Sequence, residues 1–287
     1  MEKLIKNRSK QQFNNINCLQ FGDQPERSTA DCVFILRSLI DHAKYLNKPL
    51  YLTLYDYSTC FDSLWLEDTM LALWDIGITD ELFPLIYKMN EQTQIEIKTP
   101  FGVSPQFSCP MIVKQGAVLS TNLCGSTTGQ LMDTLDTVDD CGATIGTATV
   151  RGVMFVDDTT TTNRNPVGSK NSNRAVRFFS HTKGLQLNVP KCVQLIVNLN
   201  RSEIPPLLTI GNNEISNVSS AKYLGDIFTT NGSNNELVAD RVNKGKAIII
   251  TALSLCNDIT LGHHSVKSSI TVYNSVFLHG ILFNSQA

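Results

Sequence analysis

Two apolar segments that each run into acid constrain this chain more than any other feature it has. The first is YLTLYD, residues 51–56, and the second is VRGVMFVDD, residues 150–158. Both read as buried strands, rich in β-branched, aromatic and aliphatic side chains. The first ends at Asp56, the second at Asp157 and Asp158. An uncompensated carboxylate beside a core costs several kcal/mol. A divalent cation is the simplest compensation, and an all-oxygen donor set favours Mg²⁺. Either acidic end alone reads as a strand cap beside a turn. Strands lying side by side would instead bring all three carboxylates to one place.

The elements around these strands are mixed. Residues 1–20 read as a short polar helix or coil, and TADCVFILRSLIDHAKYL, about 30–47, as an amphipathic helix capped by Ser28 or Thr29. Helices are expected at 66–76 and 80–90 with Gly77 between them, then a hairpin over 93–113 turning at Pro100–Gly102. A helix over 119–138, another over 170–183 and a strand over 192–198 follow. Small β units surround residues 211–213 and 222–230, and two helices, about 235–256 and 264–283, close the chain. The order is that of an α+β protein.

Composition narrows the partners. Hydrophobic residues make up 42% and charged residues 17% of 287, which is globular. The formal net charge is −2, so nucleic-acid contact has to come from local basic residues and bound cations rather than a positive global field. Eight cysteines without a CxxC pair read as reduced thiols, not as a zinc or disulfide framework. No apolar run approaches the ~18 residues of a membrane helix, and the N-terminus lacks the apolar core of a signal peptide. The expectation is a soluble intracellular protein, with cytoplasm and nucleus not distinguished and the oligomeric state open.

Taken in order, several segments resemble the successive motifs of the reverse transcriptases of non-LTR (LINE-type) retrotransposons. QFGDQPERSTAD (20–31) is similar to the Q-F-G-F-R-P-G-R-S-T segment that opens a fingers helix. LTLYDYSTCFDSL (52–64) resembles the D-x-x-x-A-F-D motif, VKQGAVLSTNLC (113–124) the Q-G-x-x-L-S-P-x-L-F motif, and FVDD (155–158) the Y/F-x-D-D box. GLQLNVPKC (184–192) resembles G-L-x-L-N-x-x-K-T/C, KYLGDIFTTNG (222–232) the Y-L-G primer-side segment, and ILFNSQA (281–287) an apolar-N-S-E segment near the end of the thumb.

The resemblance implies an RNA-directed DNA polymerase that adds dNTPs to a DNA primer 3′-hydroxyl on an RNA template, using two Mg²⁺ ions or, alternatively, Mn²⁺. Asp56, Asp157 and Asp158 would be the catalytic carboxylates and metal ligands, with the Tyr57 carbonyl completing a coordination shell. Lys191 would stand near the pyrophosphate as charge stabiliser or proton donor. Arg27, Phe61, Gln115 and Gly116 would contact the incoming nucleotide, Phe61 by excluding a 2′-hydroxyl. Tyr223, Leu224 and Gly225 would support the primer strand, and Arg241, Lys244 and Lys246 would grip the template–primer backbone.

It also implies a right-hand polymerase with an antiparallel palm sheet. Truncated fingers would take 1–50 and 90–115, the palm 51–89 and 116–232, and a helical thumb-like region 233–287. Departures from the motifs are Asp23, Gln24 and Glu26 in the first segment, Thr59–Cys60 before Phe61, and Thr121 where proline is usual. These keep a second reading open, a catalytically decayed nucleic-acid-binding relic of a retrotransposon. A two-metal nuclease is a third, with no Asp/Glu/His spacing to favour it.

Overall fold

The computed structural model describes residues 1–91, 94–108, 116–200, 203–258, 271, 273–278 and 282. The elements that frame the site are labelled in chain order. They are α1 (Thr29–Tyr45), β1 (Leu50–Tyr55), α2 (Leu66–Asp75), α3 (Ser120–Asp136), β2 (Gly152–Phe155), β3 (Asp158–Asn163), α4 (Pro166–Thr182), β4 (Val193–Val197), β5 (Ser216–Asn217), β6 (Ser220–Tyr223), β7 (Asp226–Thr229) and α5 (Asn235–Asp258).

α1 starts where its sequence says it should. Ser28 is the N-cap, and the Asp31 carboxylate accepts from the Ser28 amide at 2.6 Å, a reciprocal capping box that satisfies donors the first turn leaves orphaned. Asn165 caps α4 by accepting from the Gly168 amide at 2.7 Å, with Pro166 in the first turn.

Five strands form the central sheet in the order β5-β4-β1-β3-β2. All neighbours are antiparallel except β4 and β5. β1 lies in the middle and is buried along its whole length. Its side chains alternate between two cores, as a period of two requires. Leu50, Leu52 and Leu54 join Leu195 and Val197 against Val33, Leu36 and Ile40 of α1. Tyr55 joins Leu131 and Met132 of α3 and Val176 and Phe179 of α4 on the opposite face. Each such aliphatic side chain contributes about 1.5–3 kcal/mol by leaving water. The sheet is thereby fixed between α1 and the α3–α4 layer, and with it the end of β1 that carries the acid.

The second acidic segment differs from its expectation. VRGVMFVDD is not one strand ending in two acids. β2 stops at Phe155, Val156 and Asp157 form a two-residue loop, and Asp158 opens the returning strand β3, with Phe155 opposite Asp158. β3 is DTTTTN, and Thr159 to Asn163 are fully buried. The N-terminal segment also does more than expected, since Ile5 and Phe13 of its two short helices reach the core. Of the hairpin expected over 93–113, the described residues 94–108 show the pairs Gln94–Ile95 with Phe107–Ser108 and Lys98–Thr99 with Gly102–Val103. α5 matches the first of the closing helices, and most of the second lies outside the described residues. Among the described residues no helix is long and apolar enough to cross a membrane.

Candidate active site

The pairing of β1 with β3 builds the site. Its register runs from Tyr51 opposite Asn163 to Tyr55 opposite Thr159. One further step along both strands sets Asp56 against Asp158, with Asp157 in the adjoining loop. Acids about a hundred residues apart in sequence therefore converge because one strand pair ends there.

Their electrostatics follow from that crowding. Burial, and then the charge of Asp56, hold the Asp157 carboxyl above the usual carboxylate range, against hydrogen bonds from its own amide and that of Asp158. Asp158 is pushed up to about 6 by desolvation, then by Asp157 and Asp56, with Lys191 opposing. Asp158 is nonetheless exposed, so it stands at the surface and not in a sealed cavity. Three acids with one nearby lysine leave an excess of negative charge.

Asp56 is oriented by the segment after α4. Asn188 donates from its side chain to Asp56 Oδ2 at 2.9 Å and from its backbone to the Asp56 carbonyl at 2.8 Å. Lys191 Nζ lies 3.5 Å from the same Oδ2. Lys191 follows Asn188 in a short 3-10 turn, Val189–Lys191, and its side chain is 68% exposed, free to swing toward a ligand. Asn188 stands in the GLQLN segment, but nothing in the sequence singles it out as a partner of Asp56.

Tyr57 pairs with Leu187 in a two-residue ladder, its ring buried. Phe61, in the short helix Cys60–Ser63, is partly buried and packs on the core. Gly116 is exposed with φ of 87°, a conformation only glycine adopts freely, and nothing would meet a Cβ there. Gln115 lies outside the described residues. Arg27 is turned back on its own segment, bonded to the Cys18 carbonyl with its guanidinium 4.9 Å from the Phe21 ring centroid.

The KYLGDIFTTNG segment opens with a tight hairpin. Tyr223 pairs with Asp226, leaving Leu224 and Gly225 as a two-residue turn with φ of 47° and 84°, the positive pair a type I′ turn needs. The Tyr223 hydroxyl is buried within hydrogen-bond distance of the carbonyls of Asp158 (3.1 Å) and Val153 (3.4 Å), so this hairpin is braced on the acidic one. Arg241 works inside the fold. Its guanidinium is 2.5 Å from Asp226 Oδ1 and only 12% exposed, whereas Lys244 pairs with Asp240 and Lys246 faces solvent.

The family model described as reverse transcriptase (RNA-dependent DNA polymerase) matches residues 1–228. The chain belongs to this family. Its fold is also that of solved telomerases. The apo telomerase of Candida tropicalis superposes with a TM-score of 0.57 at 12% identity, covering 80% of this chain and 40% of the other. The telomerase of Candida albicans in complex with a TWJ fragment of telomeric RNA gives 0.56 at 12% identity, covering 99% and 46%. This reverse transcriptase chain thus spans less than half the length of either. No curated protein matches it.

As a donor set for divalent metal, three carboxylates and a backbone carbonyl offer only hard oxygen, and the surplus negative charge at Asp157 and Asp158 favours a cation. Among the described residues, no group of three or more His, Cys, Asp and Glu side chains is already arranged as a metal site. Asp56 instead spends Oδ2 on Asn188 and Lys191.

Proposed function

We propose that this chain is the RNA-directed DNA polymerase core of a non-LTR retrotransposon enzyme, extending a DNA primer with dNTPs on an RNA template. The carrying observation is the β1–β3 register, which gathers the carboxylates of two distant family motifs at one strand end. Bound there, two Mg²⁺ ions would lower the pKa of the primer 3′-hydroxyl and neutralise the triphosphate and leaving oxygen. Asp56 and Asp157 would hold them, with Asp158 as a third carboxylate and the Tyr57 carbonyl as a further ligand.

The rest falls to the chain's own side chains. Lys191, on its exposed stem beside Asp56, would release that carboxylate and turn to the departing pyrophosphate as a charge partner or proton donor. Phe61 would present its ring under the sugar and reject a 2′-hydroxyl. Gln115 and Gly116 would let backbone approach the nucleotide, with Arg27 leaving the Cys18 carbonyl to meet the triphosphate. The Tyr223–Leu224–Gly225 turn would carry the primer terminus at a height set by the Tyr223 hydroxyl. Lys244 and Lys246 on α5 would meet the template–primer backbone. In this arrangement residues 1–50 and 90–115 form the fingers, 51–89 and 116–232 the palm, and 233–287 the thumb.

Fill-in of a DNA primer on an RNA template with dNTPs and Mg²⁺ tests the reading. Extension by the wild type and its loss in Asp157→Asn, with the fold retained, would support it. Equal extension by both would refute it. A second reading, a relic that binds nucleic acid without chemistry, is favoured by Arg27, which is folded onto its own backbone beside the exposed Glu26. Tight binding of primer–template with no incorporation would select it.

A further inference from the structure

The loop that presents Asp157 is strained. Val156 and Asp157 connect β2 to β3 as a two-residue turn, and Val156 has φ of 59°. A positive φ at the first loop position alone is the pattern of a II′ turn, where glycine is the usual occupant. A β-branched residue there is a genuine outlier and persists only when its surroundings over-determine it.

Gln20 supplies that determination. It is fully buried, and its side-chain amide spans the Val156 peptide groups as a two-ended clamp. Oε1 accepts from the Val156 amide at 2.8 Å, and Nε2 donates to the Val156 carbonyl at 2.9 Å. Oε1 also accepts from the Gly22 amide at 3.0 Å, and Nε2 donates to the Thr128 hydroxyl at 3.1 Å. Thr128 itself lies 2.7 Å from the Val156 carbonyl. Around the clamp the backbone pairs as an added strand, with the Met154 amide donating to the Leu19 carbonyl and the Phe21 amide to the Met154 carbonyl, each at 2.8 Å.

The slot is cut for it. A Cβ on Gly22 would stand 2.4 Å from a Val156 methyl and 2.5 Å from the Val156 nitrogen. On α3, a Cβ on Gly129 would come within 2.9 Å of the Ile16 Cγ2, while its 3.6 Å from the Gln20 Cβ is ordinary contact. An apolar side chain of the same length would fill the slot without the cost of burying an amide. What the amide adds is a directional hold on one peptide.

We propose that Gln20 is a positioning residue for Asp157, locking the left-handed conformation of Val156 so that the neighbouring carboxylate is aimed into the site. The inference rests on the reading of Asp157 as catalytic. It gives the Gln20–Phe21–Gly22 segment a task at the acidic turn, apart from opening the helix that follows.

The test is a cycle of Gln20→Met and Val156→Gly, read by primer extension, thermal unfolding and exchange of the residue-156 amide. Glycine takes the positive φ unaided, so it should make the clamp dispensable. Gln20→Met is expected to lower kcat roughly ten- to a hundredfold with KM for dNTP unchanged, and to speed exchange of that amide. In the Val156→Gly background both effects should shrink. Unchanged kcat in Gln20→Met, or the same fractional loss in both backgrounds, overturns the proposal. If the wild type extends no primer, the polymerase reading has failed, and the clamp stands or falls on amide exchange and the unfolding cycle, where additive losses refute it. If Gln20→Met does not fold, Thr128→Val, which loses one arm of the same network, carries the identical cycle.

Discussion

Asp23 and Thr121 are two residues at which the sequence departs from the motifs it resembles, and they prove to be partners. The Thr121 hydroxyl donates to the Asp23 carboxylate, which also receives Lys6 at 2.5 Å. The departures are thus a compensated pair, with Asp23 held at φ of 55° between the N-terminal helix Glu2–Arg8 and α3. Thr121→Val is expected to cost about 1 kcal/mol, and an Asp23→Asn/Thr121→Val cycle in urea should show coupling, where additive losses would mean independent sites. The sequence alone made Asp56, Asp157 and Asp158 legible, because acid after an apolar strand is a local signal. Asn188 and Gln20 were hidden for the opposite reason. An amide carries no charge pattern, and its role exists only once the fold brings Asp56 to Asn188 and the Val156 backbone to Gln20. The pairing of Arg241 with Asp226 was equally hidden, because sequence shows a cation on a helix but not the acid buried opposite.

That acid belongs to an element-scale device. Asp226 is 2% exposed and takes Arg241 from α5 on Oδ1 and Arg37 from α1 at 3.5 Å on Oδ2. Arg37 also stacks 4.5 Å from the Phe228 ring centroid and donates to the Ile227 carbonyl. One carboxylate beside the turn of the β6–β7 hairpin therefore ties α1 and α5 to it. Removing it leaves two guanidinium groups largely buried without their anion, so Asp226→Ala should cost about 3–5 kcal/mol. Hydrogen exchange should accelerate first along 235–245, while β1 and β3 stay protected; uniform loss across the sheet would show that the pair is not a local latch. The helices were readable from their apolar period and caps, and β1 from its unbroken apolar run. β3 escaped because four threonines look like a polar loop until flanking layers bury them, although β-branching suits them to a strand.

Across the whole molecule, a net charge of −2 would leave the proposed nucleic-acid binding to a few local cations. If α5 meets the phosphate backbone, Lys246→Ala should weaken primer–template affinity and reduce the salt slope by about 0.7–0.9, the share of one phosphate contact. An unchanged slope would remove Lys246 from the interface. The other global consequence of the acidic cluster is a stability that depends on cation. Burial and Asp56 raise the proton affinity of Asp157, so this acid favours the fold while protonated, at pH below its ordinary range. That advantage is lost as pH rises through the raised value. At neutral pH the ionised form is therefore a liability, and Asp157→Asn should melt above the wild type when no divalent ion is present. Mg²⁺ reverses the order if these carboxylates bind it. At a hundred times its dissociation constant a ligand adds about 2.7 kcal/mol to a protein that binds it only when folded, and the variant lacking a ligand gains less. The two melting curves should cross as Mg²⁺ is titrated, whether or not the chain extends a primer. Parallel responses would mean that the acids repel one another at that strand end without serving a metal.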